Sequence, residues 1–311
     1  MNDKTRIYAI GETVFDIIFK DGKPVASTPG GSMLNTAVSL GRLGLNVHFI
    51  SEYGKDTVGN LVDDFLRCNG INTGYVCRYD EFPSSLALAF LDQNNNAEYS
   101  FYKHYPADRL NMAFPELTGN DVVIYGSFYG IEPDIYVRLK PFLEQAHANN
   151  ALVIYDPNFR KAHLSGMDIY RPVIMENFAH ADIIKGSDDD FAHIFGARSV
   201  DETWQAVQNM SDMLIYTANR NDVKLCMPGV CDSYPVPSVT PVSTIGAGDT
   251  FNAGLIYGLA TQRIGRDELK NLNSRQRTAI ISEAIRFAGH VCMSYDNYIS
   301  QEFATQCVCN V

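Results

Sequence analysis

Apolar runs along the chain alternate with stretches whose apolar residues recur at helical spacing. The runs, rich in Val, Ile, Leu and Tyr, are Ile7–Ile10, Val47–Ile50, Val122–Tyr125, Leu152–Tyr155, Ile183–Ile184 and Leu214–Tyr216. The helical spacing predicts helices over residues 33–43, 58–69, 133–149, 188–195 and 277–292. Short apolar strands separated by helices indicate βαβ units and a parallel sheet that is covered on both faces.

Polar or small residues follow several of the predicted strands. They are Gly126-Ser127, Asp156-Pro157-Asn158, Lys185-Gly186-Ser187 and Thr217-Ala218-Asn219. In open α/β sheets, ligands bind outside the carboxyl ends of the strands. We therefore expect these residues to form one edge of a binding crevice, except that ordinary loop chemistry is the favoured explanation for Gly126-Ser127.

Two segments interrupt the alternation of strands and helices. Residues 13–27 are predicted to form a hairpin that turns at Asp21-Gly22, and residues 85–102 a second hairpin with Asn94-Asn95-Asn96 at its tip. The hairpins are either surface additions or, if they extend from the same end of the sheet, a small β-lid over a site. Because no internal repeat or low-complexity linker is visible, we expect one domain over residues 1–311.

Composition limits the possible partners and location of the protein. A net charge of −11 argues against nucleic-acid binding, which normally leaves a basic footprint. No apolar run approaches the roughly 20 residues that span a bilayer, and the first residues carry no signal-peptide core. The seven cysteines suggest neither a disulfide framework nor a metal knuckle. We therefore expect a reducing, cytoplasmic location without a membrane partner.

The segment around Asp249 suggests chemistry. Gly246, Ala247 and Gly248 come directly before Asp249, and residues 251–259 predict a helix. The unpaired N–H groups at a helix start attract anions, and glycines let the backbone close around a phosphate. Asp249 is placed to take a proton from a hydroxyl group, as phosphoryl transfer to an alcohol requires. The alternative is a glycine-rich turn in which Asp249 caps the helix.

A second glycine-rich segment supports the catalytic interpretation. Pro29-Gly30-Gly31 and Asn35-Thr36-Ala37 lead into a predicted helix, and Gly54-Lys55-Asp56 follows downstream. Together with Gly246–Asp249, this segment resembles the paired signatures of the PfkB, or ribokinase-like, carbohydrate kinases. The resemblance implies a ribokinase-like three-layer α/β/α sandwich with a mostly parallel central sheet and a small β-lid. It also implies ATP and Mg²⁺ as cofactors, a sugar substrate and a homodimer formed through the lid.

The same resemblance implies a role for individual residues. Asp249 would be the general base, beside an anion hole formed by Gly246, Ala247 and Gly248. The implied sugar-binding residues are Asp16, Gly30, Gly31, Asn35, Lys103 and Arg160. The implied nucleotide-binding residues are Lys185, Ser187, Thr217, Asn219 and Gly248, and Asp190 would hold Mg²⁺ through water. Two competing interpretations remain: a structural ion pair for Arg160, and a helix-capping box for Ser187 and Asp190.

The chain also departs from the family pattern. Asn219 and Asp222 lie where the family usually has phosphate-binding glycines, and Ser243 replaces an aspartate associated with a monovalent-cation site. We therefore expect weak ATP affinity and little activation by K⁺. Gly11-Glu12 and Tyr99–Lys103 look most like fructokinase members, so the primary hydroxyl of fructose is the expected acceptor. A 2-keto-3-deoxygluconate kinase and a sugar-binding pseudokinase that acts as a sensor are the alternatives.

Overall fold

A computed structural model describes residues 5–92, 97–218 and 221–309. Its strands, numbered along the chain, are β1 (Ile7–Ile10), β2 (Val14–Lys20), β3 (Lys23–Gly30), β4 (Val47–Gly54), β5 (Ile71–Tyr79), β6 (Leu86–Leu91), β7 (Ala97–Tyr102), β8 (Val122–Gly126), β9 (Leu152–Asp156), β10 (Ile183–Ser187), β11 (Met213–Thr217), β12 (Val223–Met227) and β13 (Val230–Tyr234). The helices are α1 (Ser32–Arg42), α2 (Thr57–Cys68), α3 (Pro133–Ala148), α4 (Met167–His180), α5 (Asp188–Phe195), α6 (Val200–Val207), α7 (Ala247–Thr261), α8 (Arg266–Leu269), α9 (Ser274–Val291) and α10 (Gln301–Cys309). Within the described ranges, no helix is both long enough and apolar enough to cross a bilayer.

The central sheet has nine strands in the order β13-β12-β11-β10-β9-β8-β1-β4-β5. Pairing is parallel from β11 across to β5, whereas β12 is antiparallel to both of its neighbours. Strand β1 shows how the sheet separates two cores, since Ile7 and Ala9 face one apolar cluster while Tyr8 and Ile10 face the other. The first cluster includes residues of α1, α7 and α9, and the second includes residues of α3, α4 and α5. The predicted three-layer α/β/α sandwich is confirmed.

A second sheet of four strands has the order β3-β2-β6-β7. The β2–β3 turn lies at Asp21 and Gly22, whose φ angles of 52° and 73° suit a two-residue hairpin. Strands β2 and β6 pair in parallel and so join the two predicted hairpins into one sheet, which we call the lid. The expected hairpin tip at Asn94–Asn96 lies outside the described residues.

The structure corrects the expectation about cysteines. Cys226 and Cys231 form a disulfide between β12 and β13, where they are direct cross-strand partners. The hairpin turn between them is short, so two cysteines five positions apart come side by side. The predicted strands and helices also did not include β5, β12, β13, α4, α6, α8 and α10.

Candidate active site

The carboxyl ends of adjacent parallel strands bring polar residues together, as expected. Asp156 is the last residue of β9, Lys185 lies within β10, and Thr217 ends β11. These strands are neighbours in the sheet. The Lys185 ammonium lies 2.8 Å from Asp156 Oδ2, and Asn252 Nδ2 donates to the same oxygen at 2.7 Å. A buried ion pair is therefore fixed between the sheet edge and helix α7.

The start of α7 requires glycine. Gly246 has φ of 79°, and a Cβ there would lie 2.5 Å from the carbonyl oxygen of Asn297. A Cβ on Gly248 would lie 3.3 Å from the Lys185 ammonium, so the charged group sits directly against the first helical turn. The N–H of Ala247 donates to the Thr244 carbonyl at 3.3 Å. In helix geometry, the N–H groups of the following first-turn residues lack intrahelical acceptors, which suits them to an anion.

Lys185 supplies positive charge at this helix start. Its side chain is 6% exposed. Burial is the largest influence and opposes the charged form, but the attraction and hydrogen bond to Asp156, together with the charges of Asp190 and Asp249, raise the pKa of Lys185 above its ordinary value. The ammonium therefore remains charged beside the first turn of α7.

The Asp249 carboxylate lies between two donors. Ser32 Oγ donates to Oδ1 at 2.6 Å, and Asn35 Nδ2 donates to Oδ2 at 2.8 Å. Burial raises the pKa of Asp249, although these two hydrogen bonds oppose the rise. A raised pKa makes this carboxylate a better proton acceptor than an ordinary aspartate. Both described bonds lead away from the α7 backbone, so they do not support the alternative that Asp249 caps its own helix.

Three residues at this site were not among the predicted site residues. Ser32 follows the glycine pair and also accepts a hydrogen bond from Asn158 Nδ2 at 3.2 Å. Thr36 Oγ1 donates to the Asp249 carbonyl at 2.9 Å and so ties α1 to α7. Asn252 lies three residues after Asp249, which puts both side chains on one helix face. That spacing was the available sequence signal for Asn252.

The lid contributes Asp16 to the same region. The Asp16 carboxylate occupies the space where a Cβ on Gly30 would lie. Gly31 has φ of 139°, and a Cβ there would meet the Glu12 carbonyl oxygen. Burial raises the pKa of Asp16 to about 6. The two glycines thus let the Asp16 carboxylate and the Glu12 backbone approach the start of α1, where Asn35 lies.

Lys103 and Arg160 have different surroundings. Lys103 Nζ lies 2.6 Å from Glu12 Oε1, which also accepts from the Tyr105 hydroxyl at 2.9 Å. Arg160 is exposed and forms no salt bridge with the residues that the structure describes. The alternative of a structural ion pair for Arg160 therefore finds no partner in the described ranges.

Ser187 and Asp190, which were predicted for the nucleotide and for Mg²⁺, form the capping box of α5. Asp190 Oδ2 accepts from the backbone N–H and hydroxyl of Ser187 at 2.7 and 2.6 Å, and Oδ1 accepts from the Phe159 N–H at 2.6 Å. With three donors on its carboxylate, Asp190 is better suited to hold a hydrated cation through water than to bind one directly. The described residues also contain no group of three or more His, Cys, Asp or Glu side chains arranged to bind a metal.

The remaining predictions for the nucleotide side concern Thr217, Asn219, Asp222 and Ser243. Thr217 Oγ1 donates to the Gly186 carbonyl at 3.3 Å, and Asn219 lies outside the described residues. Asp222 accepts a hydrogen bond from Ser233 Oγ at 2.5 Å and lies 3.9 Å from Lys224 Nζ. These contacts partly neutralise Asp222 and reduce the repulsion of phosphate that the sequence suggested. Ser243 Oγ accepts from the Ile245 N–H at 3.2 Å and brings no carboxylate to the loop.

Known proteins resemble this chain over most of its length. Residues 4–292 match the model of the pfkB family carbohydrate kinases. Fructokinase-1 of Zea mays is 29% identical over 89% of this chain and 84% of its own, and a fructokinase of Escherichia coli is 26% identical over 85% and 87%.

Solved structures agree at the level of the fold. A Vibrio cholerae O395 fructokinase with bound fructose, ADP and calcium superposes with a TM-score of 0.83 at 20% identity, over 97% of this chain and 98% of the other. Aminoimidazole riboside kinase of Salmonella enterica, bound to aminoimidazole riboside and an ATP analogue, superposes with a TM-score of 0.82 at 19% identity and the same coverage. The fold, the family match and the arrangement around Asp249 lead to one conclusion: the chain belongs to the pfkB family and is a carbohydrate kinase.

Proposed function

We propose that the protein is an ATP-dependent fructokinase that phosphorylates a primary hydroxyl of fructose. The observation that carries the proposal is the Asp249 carboxylate, held by Ser32 and Asn35 next to Gly248, against which the Lys185 ammonium lies. A proton acceptor beside an anion-binding helix start is what phosphoryl transfer to an alcohol requires. The fructokinases among the relatives support fructose as the acceptor.

The chemistry proposed for Asp249 begins with displacement of Ser32. The substrate hydroxyl takes the place of Ser32 Oγ on Asp249 Oδ1 and gives its proton to the carboxylate as the O–H bond breaks. The hydroxyl oxygen forms a bond to the γ-phosphorus of ATP while the bond to the leaving ADP oxygen breaks. Lys185 and the first-turn N–H groups of α7 stabilise the negative charge on the transferring group.

We include Mg²⁺ in the proposal as the partner of the ATP phosphates. Mg²⁺ bound there would neutralise phosphate charge during transfer. Asp190 would hold its water ligands, since three protein donors already occupy the carboxylate. The absence of a carboxylate at Ser243 supports an enzyme with little response to K⁺.

Two other functions compete with this proposal. The guanidinium of Arg160, which has no salt bridge among the described residues, would suit the carboxylate of 2-keto-3-deoxygluconate. A sugar sensor without activity would keep the sugar site and lose phosphoryl transfer. The deciding experiment measures ADP release with fructose, other hexoses, ribose and 2-keto-3-deoxygluconate, together with binding of each sugar. Fructose should give the highest kcat/KM. Sugar binding without ADP release would favour the sensor. A higher kcat/KM for 2-keto-3-deoxygluconate than for fructose would favour a 2-keto-3-deoxygluconate kinase.

We also propose that residues 1–311 act as one kinase domain in the cytoplasm and that two copies pair through their lids. The ground for this location is the supply of ATP, because the Cys226–Cys231 disulfide removes the argument from cysteines. One face of the lid carries Ile17, Phe19, Leu88 and Phe90, whose alignment follows from the β2–β6 register. The Phe19 and Phe90 rings stack at 5.0 Å, and Phe90 is 41% exposed. A thin sheet cannot cover both of its apolar faces by itself, which favours a two-fold pairing of this face.

A further inference from the structure

We infer that Tyr99 and Phe101 form an aromatic wall on the site-facing surface of the lid, and that this wall recognises the C–H face of a ring-closed sugar. The inference rests on the proposed sugar kinase function and narrows its substrate class. It assigns a specificity role to two residues that the catalytic chemistry does not use.

Strand register places both rings on the same face as Asp16. Asp16 is the direct partner of Ala87, and Ala87 is the direct partner of Phe101. In the next row of that face, Ala89 is the partner of Tyr99. Because paired residues of adjacent strands point to the same side of a sheet, the two rings share the surface that carries the Asp16 carboxylate.

On this face of the lid, the two aromatic rings are exposed while the alanines beside them are buried. Ala87 and Ala89 are 0% and 2% exposed, whereas Tyr99 and Phe101 are 46% and 57% exposed. The two rings are nearly parallel, with centroids 5.7 Å apart and planes 10° apart. The alanines of β6 are thus covered, whereas the two neighbouring rings on β7 present apolar surface on the face that carries Asp16. A pair of exposed aromatic rings on a site-facing surface is typical of a ligand-binding wall.

Charged groups surround this wall. The charges of Asp16 and Arg160 both act on Tyr99, whose pKa is raised mainly by burial. The Lys103 ammonium lies 5.1 Å from the centre of the Phe101 ring. A sugar ring has a face of C–H groups, and its hydroxyl groups point outward around that face. The aromatic rings match the C–H face, and the neighbouring carboxylate and two cations match the hydroxyl groups. An acyclic chain presents no such continuous face, so the wall favours ring-closed substrates.

The test compares fructose with the acyclic polyol sorbitol, which has the same number of carbons. Tyr99→Ala and Phe101→Ala should each raise KM for fructose about three- to tenfold, with kcat and KM for ATP nearly unchanged. Calorimetry should show that each variant lowers the ratio of fructose affinity to sorbitol affinity relative to the wild type. Tyr99→Phe keeps the ring and should behave as the wild type. The matched control is Tyr102→Ala, since Tyr102 is 60% exposed but points to the opposite face of β7.

The inference is overturned if ring removal leaves KM for fructose unchanged, or if Tyr102→Ala raises it equally. It is also overturned if fructose and sorbitol lose affinity in the same proportion, since that would indicate a general disturbance of the lid. A wild type that binds fructose through the rings but transfers no phosphate would refute the proposed function and support the wall. An active fructokinase whose KM for fructose does not change on ring removal would support the proposed function and refute the wall.

Discussion

The carboxylate of Asp249 already has a donor on each oxygen, so substitution must separate proton acceptance from hydrogen bonding. Asp249→Asn keeps the size of the side chain but cannot accept a proton. We expect kcat to fall by about 10²–10⁴-fold, the usual contribution of a general base, while fructose binding persists. Steady-state kinetics and calorimetry measure the two quantities. Asp201→Asn is the control, because Asp201 also lies in the first turn of a helix. A variant that keeps most of its kcat would remove Asp249 from the role of base.

The Asp16 carboxylate is expected to lower the free energy of unfolding, although it contributes to sugar binding. Burial raises the pKa of its carboxyl to about 6, so the folded protein holds the ionised form less favourably than the unfolded chain does. This cost is fully present above pH 6 and disappears as the pH falls below the unfolded value near 4. Asp16→Asn should therefore raise the free energy of unfolding by about 1–3 kcal/mol at pH 7.5 and by little at pH 4. It should also raise KM for the sugar.

Urea unfolding of both proteins at the two pH values checks this prediction. Asp267→Asn, an exposed change in α8, is the control and should show no pH-dependent gain. A gain for Asp16→Asn that is larger at pH 4 than at pH 7.5 would contradict the assigned pKa. A sugar KM that stays at the wild-type value would remove Asp16 from the binding site.

At the scale of elements, Arg109 joins the segment after the lid to the central sheet. Its guanidinium donates to Glu52 Oε1 at 2.8 and 2.5 Å and to Glu132 Oε2 at 2.7 Å. It also lies 3.7 Å from the centre of the Tyr105 ring. Glu52 is 2% exposed, so Arg109→Met would leave a buried charge without its partner. We expect a loss of about 3–5 kcal/mol in the free energy of unfolding.

The Arg109 prediction has two comparisons. Arg138→Met breaks an exposed ion pair with Asp108 and should cost at most about 1 kcal/mol. The double variant Arg109→Met, Glu52→Gln removes both charges and should recover part of the loss. Urea unfolding measures all three variants. Equal small losses for Arg109 and Arg138 would show that the buried network contributes little.

Periodic, fully buried elements were predictable from the sequence, and half-buried edges were not. The five strands in the middle of the central sheet, β11, β10, β9, β8 and β1, contain apolar runs, so their position followed from composition and length. Strand β5 lies at the sheet edge, where buried and exposed residues mix, and α4 contains Pro172. These features weaken the usual strand and helix signals.

Predictability of the site follows the same division. Polar residues after parallel strands had to meet at one edge, because parallel strands share one direction. The contact of Ser32 with Asp249 joins residues 217 positions apart and depends on how α1 packs against α7. The Asp222 contact with Ser233 depends on the β12–β13 hairpin, which was not among the predicted elements. The local pattern of apolar and polar residues contains no information on these two long-range contacts.

At the scale of the whole molecule, an acidic protein must bind an anionic nucleotide. The net charge is −11, yet Lys185 places a buried positive charge against the first turn of α7. A charge shielded from water acts strongly over short distances, whereas exposed charges are screened beyond about 10 Å at moderate salt. Because Asp156 pairs with Lys185, attraction at the phosphates must also come from the first-turn N–H groups of α7.

Assembly is the last property that the lid surface predicts. The face with Ile17, Phe19, Leu88 and Phe90 lies opposite to the one with Asp16. Its burial in a two-fold homodimer would leave the site-facing surface free for substrate. Light scattering at micromolar concentration should give twice the 34.6 kDa of one chain. Phe90→Glu should give a monomer, whereas Val137→Glu, at a position 66% exposed on α3, should not. A monomeric wild type would contradict lid pairing and leave the apolar face unexplained.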